Sequence, residues 1–415
     1  MTLDRTALEF RRTQPDERRA AADVFRTALL FPPSSDEDWA KPHLVASWAD
    51  ALSISAWDGV QCVGHAAAFP FVTAVPGGAR LATAGVSRVG VRQTHTRRGV
   101  LTTLMHQMLR DAADAGMVIA SLRASEAVIY ERFGFGVAGE AWQIEIDRRA
   151  GARVVVPVAA GSIRILERAD TLATIAALHQ RVGFDRPGAI GRPMWMHERY
   201  LEDALGMEKA AFVIVHTNTD GVDDGWAQYT VDWLESSVEH LGGKCDVADV
   251  WGANPAVELA LWKFILELDL IDVVHASDRP LDDAVRFGLR NQRQYLSKLR
   301  HDEQWLRLLD VDAALSARTF SPTRATVTIA ITDPLFGANN GTWQVSSVGA
   351  QRSKVGPDKA DLVTTINGIS AAYLGGTAWH DLWVAGVVQQ ERSGALAEAD
   401  LLFASRPLPR CGSFF

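Results

Sequence analysis

The amino-acid sequence predicts an α+β fold in which two similar α/β domains are followed by a smaller α+β domain. The chain has 415 residues, enough for two to three domains, and its hydrophobic fraction of 47% is ordinary for a globular protein. A strand, a helix and a strand follow one another at matching offsets in the two halves, which indicates a duplication. The residue pattern then changes near Leu309. We therefore expect domains over residues 1–155, 156–305 and 306–415.

The first domain begins with two apolar strands joined by Asp58-Gly59. This pair suits the positive φ angles of a tight hairpin turn. From Leu101 onward, apolar residues recur at spacings of three and four, which predicts an amphipathic helix. The strands predicted in this domain lie at residues 53–57, 61–69, 81–91, 117–122 and 141–146, and a helical turn is predicted at residues 126–133.

The second domain repeats this order, and its helix has its own start signal. Asn254 suits the N-cap, and Pro255 stands at the first helical position, where its missing N–H costs nothing. In the third domain, alternation predicts a strand that Asp333-Pro334 ends. The strands predicted in these two domains lie at residues 211–216, 226–231, 244–251, 271–276, 327–331, 342–345 and 362–366.

Charge and composition exclude several classes of protein. Lys plus Arg is 42 and Asp plus Glu is 50, a net charge of −8, which argues against a nucleic-acid binder and is compatible with a cationic ligand. The three cysteines are far apart and form no CxxC pair, and the eleven histidines form no HExxH motif, so we expect no metal and a reducing cytoplasm. No window approaches a membrane span and no signal peptide is evident.

The first chemical signal is a basic loop that opens the predicted helix of the first domain. Arg97, Arg98 and Gly99 precede the helix directly. A helix N-terminus offers unpaired N–H groups and partial positive charge, and Gly99 lets the backbone approach a ligand closely. This arrangement fits a diphosphate. Taken alone, the short motif is more typical of a solvated basic turn before an ordinary helix.

A second signal follows about 25 residues later, at Tyr130-Glu131-Arg132-Phe133-Gly134-Phe135. Together the two segments resemble the GCN5-related N-acetyltransferases (GNAT), with the basic loop in place of their acetyl-CoA pyrophosphate loop. The segments at residues 86–91, 95–99 and 124–130 resemble more closely the enhanced intracellular survival (Eis) family of actinobacterial acetyltransferases. That family joins two GNAT domains to a domain of sterol-carrier-protein fold. The loop departs from the usual pattern, since Thr96 and Leu101 occupy its first and last positions.

The resemblance implies a set of acetyl-CoA contacts. The strand before the loop would pair with the pantetheine arm, the loop and helix start would bind the phosphates, and two residues would flank the parted strands. These residues are, in that order, Val89, Gly90 and Val91; Arg97, Arg98, Gly99, Val100, Leu101 and Thr102; and Ser125 and Glu126. The second domain has Trp251-Gly252-Ala253-Asn254-Pro255 where such a loop would stand, without positive charge, and we expect it to bind no CoA.

The resemblance also implies two catalytic groups. Tyr130 would be the general acid that protonates the departing CoA thiolate, since a phenol with a reference pKa of about 10 is protonated at pH 7. The terminal carboxylate of Phe415 would take the proton from the attacking amine. An α-carboxyl pKa of about 3.5 makes a weak base, so it needs partial desolvation or a relay through water. Phe415 could instead chiefly anchor a cationic substrate.

The acceptor pocket is less well defined. Asp36, Glu37 and Trp39 lie where relatives have an acidic, aromatic-lined substrate cleft, although a solvated acidic loop is an equally good interpretation. Phe414 stands where some relatives have a Glu, which weakens the case for highly charged aminoglycosides.

The resemblance implies an N-acetyltransferase that modifies primary amines of aminoglycosides or other polycations, assembled as a homohexamer. Two alternatives remain. The acceptor is a protein lysine or a peptide, or the chain is a non-catalytic CoA- or lipid-binding relative.

Overall fold

The protein is described by a computed structural model that covers residues 8–184, 186–205, 210–234 and 242–415. In chain order, its strands are β1 (Leu8–Arg12), β2 (Leu52–Asp58), β3 (Gln61–Ala74), β4 (Arg80–Val91), β5 (Ile119–Leu122), β6 (Gly136–Asp147), β7 (Gly161–Ile165), β8 (Ala210–Asn218), β9 (Asp223–Leu234), β10 (Gly242–Gly252), β11 (Ile271–Pro280), β12 (Tyr295–Leu308), β13 (Thr326–Thr332), β14 (Gly341–Ser346), β15 (Gly349–Arg352), β16 (Leu362–Thr365) and β17 (Val388–Gln390).

The helices within the same described ranges alternate with these strands. They are α1 (Arg18–Ala28), α2 (Asp36–Trp39), α3 (Pro42–Ala46), α4 (Val100–Asp114), α5 (Ala127–Tyr130), α6 (Arg168–Val182), α7 (Met194–Leu205), α8 (Pro255–Leu266), α9 (Ala284–Gly288), α10 (Val311–Ala317), α11 (Ile366–Ala372), α12 (Trp379–Val384) and α13 (Ala395–Phe403).

The chain folds into two compact units. Unit 1 holds the described residues up to Ala138, residues 304–405 and Phe415. Unit 2 holds residues 139–303 and 406–414. The chain therefore passes from unit 1 to unit 2 and back twice.

Unit 1 contains two sheets. In the first, β1 to β4 pair in sequence as antiparallel neighbours, β4 pairs with β5 in parallel, and β5 pairs with the last four residues of β12. Helix α4 packs against β2 and β3 and buries a stripe at spacings of three and four, as its periodicity predicts. The Asp58-Gly59 turn joins β2 to β3, with Gly59 at a φ of 57°.

The second sheet of unit 1 forms the α+β portion after residue 310. Its strand order is β15-β14-β13-β16-β17, with β13 and β16 parallel. One apolar core joins this sheet to residues such as Leu81, Ile119 and Leu306 of the first sheet. Within unit 1, the two portions are therefore stabilised by shared buried apolar surface.

Unit 2 repeats the strand–helix–strand order of unit 1. Its sheet has the order β6-β11-β10-β9-β8-β7. Strand β10 pairs antiparallel with β9 and in parallel with β11, as β4 does with β3 and β5. Helix α8 connects β10 to β11, and its Asn254 cap is observed as predicted. This correspondence supports the predicted duplication.

Candidate active site

The candidate site of unit 1 lies where two parallel strands part. Strands β4 and β5 are registered at Thr83–Ile119, Ala84–Ala120 and Gly85–Ser121. Strand β4 then runs on to Val91 along β3. A cleft of about 470 Å³ opens there. Among its lining residues are Val89, Gly90, Val91, Arg97, Gly99, Val100, Leu101, Thr102, Ser125, Glu126 and Tyr130.

A bulge in β4 turns the strand toward this cleft. The register with β3 shifts between His65 and Ala67, and Arg88 has a φ of 53°, in the left-handed region. His65 Nδ1 lies 2.9 Å from the Arg88 carbonyl oxygen. A carbonyl only accepts, so Nδ1 carries the proton. Burial lowers the pKa of His65 to about 4, so the ring is neutral at pH 7 and holds the bulge with one fixed tautomer.

The start of α4 provides backbone donors to the cleft. Gly99 is its N-cap with a φ of 81°, and it has no side chain to satisfy the first N–H groups of the helix. The first helical bond joins the Thr103 N–H to the Gly99 carbonyl. The N–H groups before Thr103 therefore belong to residues at the cleft, where an anion finds donors and the positive end of the helix dipole. Arg98 lies in the loop but not among the cleft-lining residues.

Tyr130 ends α5 at the wall of the same cleft. Its side chain is 8% exposed, and its ring meets Phe135 edge to face at 6.1 Å between centroids. Burial, and secondarily the charge of Glu126, raises the pKa of Tyr130 to about 12. The hydroxyl is therefore protonated at every pH at which enzymes ordinarily work, as a proton donor requires.

Phe415 lies beside the point where β4 and β5 part. Its ring is 8% exposed and meets Phe71 of β3 edge to face, with centroids 5.1 Å apart. The Phe71 ring covers Gly85, where a Cβ atom would come within 2.3 Å of it. Gly85 is also the last β4 residue paired with β5.

An aromatic and cationic cluster continues from Phe71 along the same sheet. Phe69 lies 5.8 Å from Phe71, and the Arg88 guanidinium lies over Phe69 and over Trp48, at 4.9 and 4.2 Å from the ring centroids. Our sequence analysis did not identify these residues. The signal that could have found them is the spacing of two between Phe69 and Phe71, which puts both rings on one face of a strand.

The residues predicted for the acceptor pocket are dispersed. Asp36, Glu37 and Trp39 form the single turn α2, capped by Ser35. Asp36 is paired with Arg19 at 2.6 Å, and Trp39 packs against Trp48 at 6.1 Å. Trp39 thus touches the aromatic cluster, whereas the two carboxylates are exposed. Phe414 is 59% exposed in unit 2, where it lines a separate cavity of about 390 Å³.

The helix of unit 2 that corresponds to α4 is already capped. Asn254 Oδ1 accepts hydrogen bonds from the N–H groups of Ala256 and Val257, at 2.9 and 3.2 Å. Pro255 contributes no N–H. The donors that α4 leaves at its cleft are therefore satisfied within the chain at α8.

Two kinds of feature are missing from the residues that the structure describes. Within them, no group of three or more His, Cys, Asp or Glu side chains could hold a metal ion. None of the helices found there is long and apolar enough to span a membrane. Cys62, Cys245 and Cys411 are buried and form no disulfide.

Family comparisons agree with this architecture. Residues 9–138 and 188–308 each match an acetyltransferase (GNAT) domain family, and residues 311–412 match the sterol carrier protein domain. The chain is 36% identical over 369 residues to an uncharacterized N-acetyltransferase of Streptomyces coelicolor, covering 86% of this chain and 88% of the relative. It is 27% identical over 395 residues to the N-acetyltransferase Eis of Mycobacterium tuberculosis, covering 91% and 94%.

Solved structures give the same result. Eis1 from Mycobacterium abscessus superposes with a TM-score of 0.87 at 32% identity, covering 98% of this chain and 100% of that one. A GCN5-related N-acetyltransferase from Anabaena variabilis, at 19% identity and a TM-score of 0.80, shares the fold.

The fold and the comparisons define a GNAT acetyltransferase with a fused sterol-carrier domain. More specifically, the chain belongs to the Eis family of N-acetyltransferases. The predicted fold class and enzyme class are confirmed. The predicted domain boundaries and the roles of individual residues stay predictions.

Proposed function

We propose that this N-acetyltransferase transfers acetyl from acetyl-CoA to a primary amine of an aminoglycoside or a similar polycation. The single observation that carries the proposal is the cleft of unit 1, which has the uncapped start of α4 and the protonated Tyr130 on its wall. Backbone N–H groups that suit an anion and a phenol that suits an acid role thus line one cavity, which supports the proposal. Acetyl-CoA is the acetyl donor of GNAT acetyltransferases, and it has both a diphosphate and a thiolate leaving group.

The cofactor roles follow from the position of each group. The N–H groups of Gly99, Val100, Leu101 and Thr102 would bind the diphosphate, with Arg97 and Arg98 adding positive charge. Main-chain groups of residues 89–91 would pair with the amide groups of the pantetheine arm, since β4 has lost β5 as a neighbour there. Ser125 and Glu126, which line the same cleft, would flank the parted strands.

The reaction is an addition followed by an elimination. The amine nitrogen attacks the thioester carbonyl, a C–N bond forms and the C–S bond breaks. The proton lost by the nitrogen goes to the Phe415 carboxylate, directly or through water, and the departing sulfur takes a proton from Tyr130. If the Phe415 carboxylate is an anchor and not the base, it instead holds the ammonium group of the acceptor by charge.

The proposed class of acceptor is supported by negative charge, by aromatic rings and by exposed carboxylates. The net charge is −8, Asp36 and Glu37 are exposed, and the aromatic cluster offers ring faces to ammonium groups. Against a very highly charged acceptor, Arg19 pairs with Asp36 and Arg88 already occupies the Trp48 face. A lysine of a protein or peptide satisfies the same chemistry and is the second candidate. The non-catalytic alternative is set aside because the chain belongs to a family of acetyltransferases.

The test is release of CoA thiol from acetyl-CoA by the unmodified chain, with aminoglycosides, a basic peptide antibiotic, a polyamine and lysine peptides as acceptors. Rapid release with aminoglycosides supports the leading proposal, and release with lysine peptides alone supports the second candidate. Silence with every amine, while acetyl-CoA binds, contradicts both. By family resemblance we also propose that the protein is cytoplasmic and assembles as a homohexamer. Sedimentation analysis of the purified protein tests the hexamer.

A further inference from the structure

The residues that precede Phe415 are held by side chains of unit 2. We call residues 406–414 the tail segment. Cys411 and Gly412 donate their N–H groups to the two carboxylate oxygens of Glu303, at 3.0 and 2.7 Å. Glu303 is fully buried. A buried carboxylate that accepts two backbone N–H groups fixes the path of the chain at both residues.

A second buried charge, that of Arg192, holds Gly412 and Ser413. Arg192 donates to the Gly412 carbonyl and, at 3.0 Å, to the Ser413 hydroxyl. Its guanidinium is paired in turn with Asp249, which also accepts from the Trp251 indole N–H at 2.6 Å. Because Arg192 and Asp249 are both buried, their geometry is set by packing as well as by charge.

Tyr200 holds the last residue of the tail segment at both of its main-chain groups. The Phe414 N–H donates to the Tyr200 hydroxyl oxygen at 2.6 Å. The same hydroxyl donates to the Phe414 carbonyl at 3.0 Å. Burial raises the pKa of Tyr200, so the phenol keeps the proton that the second bond needs.

The tail segment lies at the place in unit 2 that corresponds to the cleft of unit 1. The last registered pair of β10 and β11 is Val247–Ala276. Beyond it, Arg410 donates to the Val250 carbonyl of β10 at 2.9 Å and lies 4.0 Å from the Trp251 ring centroid. The Leu408 N–H donates to Asp282, just past β11, at 2.9 Å. The chain thus spans the ends of two parting strands, as a cofactor arm would.

We propose that unit 2 is a clamp for the tail segment, and that Tyr200 is a positioning residue for the Phe415 carboxylate. The proposal rests on the catalytic or anchoring role proposed for Phe415. With both main-chain groups of Phe414 held by one hydroxyl, only the 414–415 peptide bond and the torsions of Phe415 separate the clamp from the carboxylate. Releasing Phe414 lets the carboxylate move by an ångström or more, which costs about 10- to 100-fold in rate for a group that must be oriented.

The test compares Tyr200→Phe with the unmodified chain. This variant removes one oxygen atom and the two bonds that Tyr200 makes to Phe414, while the bond from Arg199 to the Phe414 carbonyl remains. The matched control is Tyr229→Phe, a buried tyrosine of β9 that stacks on Phe212 at 5.4 Å within the same unit. The two measurements are amide hydrogen exchange of residues 411–415, followed by mass spectrometry, and kcat for the best amine of the panel.

We expect Tyr200→Phe to exchange these amides at least about 10-fold faster, and to lose about 10- to 100-fold in kcat with unchanged acetyl-CoA affinity. The control should match the unmodified chain. One residue added after Phe415 should lower kcat of the unmodified chain. The same extension should lower kcat of Tyr200→Phe by a smaller factor, because both changes displace the same carboxylate.

Two outcomes overturn the proposal separately. Exchange as slow as in the unmodified chain overturns the clamp. Faster exchange with unchanged kcat, or a full additional loss on C-terminal extension, overturns the positioning role. If the unmodified chain acetylates no amine, the proposed function fails, and the exchange measurement still decides the clamp. Glu303→Gln, which keeps one acceptor oxygen, serves as a second variant if Tyr200→Phe fails to fold.

Discussion

At the scale of single residues, burial decides what Tyr130 can do. A phenol in water titrates near pH 10, and the apolar wall of the cleft raises the pKa of Tyr130 to about 12. The proton therefore stays in place under all working conditions. The phenol thus still holds a proton to give to the sulfur when the C–S bond breaks, as the proposed general acid requires.

We expect Tyr130→Phe to lower kcat by about 10²- to 10³-fold, because it removes the donor and leaves the ring. Binding of acetyl-CoA, measured by calorimetry, should change little. Because the pKa of Tyr130 is raised, kcat of the unmodified chain should not fall between pH 7 and pH 10 through loss of its proton. A kcat for Tyr130→Phe equal to that of the unmodified chain would remove Tyr130 from the mechanism.

Three buried histidines predict a loss of stability in acid. Burial lowers the pKa of His65 and of His197 to about 4, and that of His179 well below its usual range. The unfolded chain binds a proton at each near pH 6.5, so stability is lost as pH falls from 6.5 toward 4. Each histidine contributes about 2 kcal/mol of this loss at pH 5.

Urea unfolding at pH 7.5 and pH 5 measures this loss. His65→Gln should reduce the difference between the two pH values by about 2 kcal/mol, since the amide does not titrate. The exposed His380 offers the matched control, His380→Gln. An undiminished difference in His65→Gln would show that the acid loss arises elsewhere.

At the scale of elements, the contact between β3 and β4 places the terminal ring. Gly85→Ala would bring a methyl group to within 2.3 Å of Phe71, so the ring must move and Phe415 with it. We expect a cost of about 1–3 kcal/mol in unfolding free energy and a lower kcat. The matched control is Gly337→Ala, where the new methyl group meets open space. An unchanged kcat in Gly85→Ala would show that the position of the Phe415 ring does not matter for the reaction.

Two variants of similar shape, one charged and one neutral, test whether the start of α4 binds an anion. Gly99→Asp places a carboxylate at the N-cap, where it would accept from the same N–H groups and repel a diphosphate. We expect KM for acetyl-CoA to rise at least about 10-fold. Gly99→Asn has the same shape and tolerance of positive φ but no charge, so it should raise KM less. Equal KM values for the two variants would exclude an anion at this helix end.

The sequence predicted those parts of the fold whose signals are local. Asn254-Pro255 marks the start of α8, Asp58-Gly59 the first hairpin, and Gly99 the start of α4, because caps and turns depend on neighbouring residues. The parting of β4 and β5 depends on where registration stops, which no local pattern records. The contact of Tyr200 with Phe414 joins residues more than 200 positions apart and is equally invisible in the sequence.

At the scale of the whole molecule, the two similar units differ in what lies at the ends of their parted strands. In unit 1 the parted strands border an open cleft. In unit 2 the corresponding strand ends are bonded to the tail segment. The tail segment belongs to unit 2, and the residue that follows it, Phe415, belongs to unit 1.

The Asn254 cap also distinguishes the start of α8 from the start of α4 in how a bound anion would affect each helix. Helix α8 begins with its donors already bonded, so its first turn needs no other molecule. The N-cap of helix α4, Gly99, provides no such side-chain acceptor. A ligand at a hundredfold excess over its Kd stabilises the native state by about 2.7 kcal/mol. Bound at the start of α4 as we propose, acetyl-CoA should slow amide exchange in this helix and leave exchange in α8 unchanged.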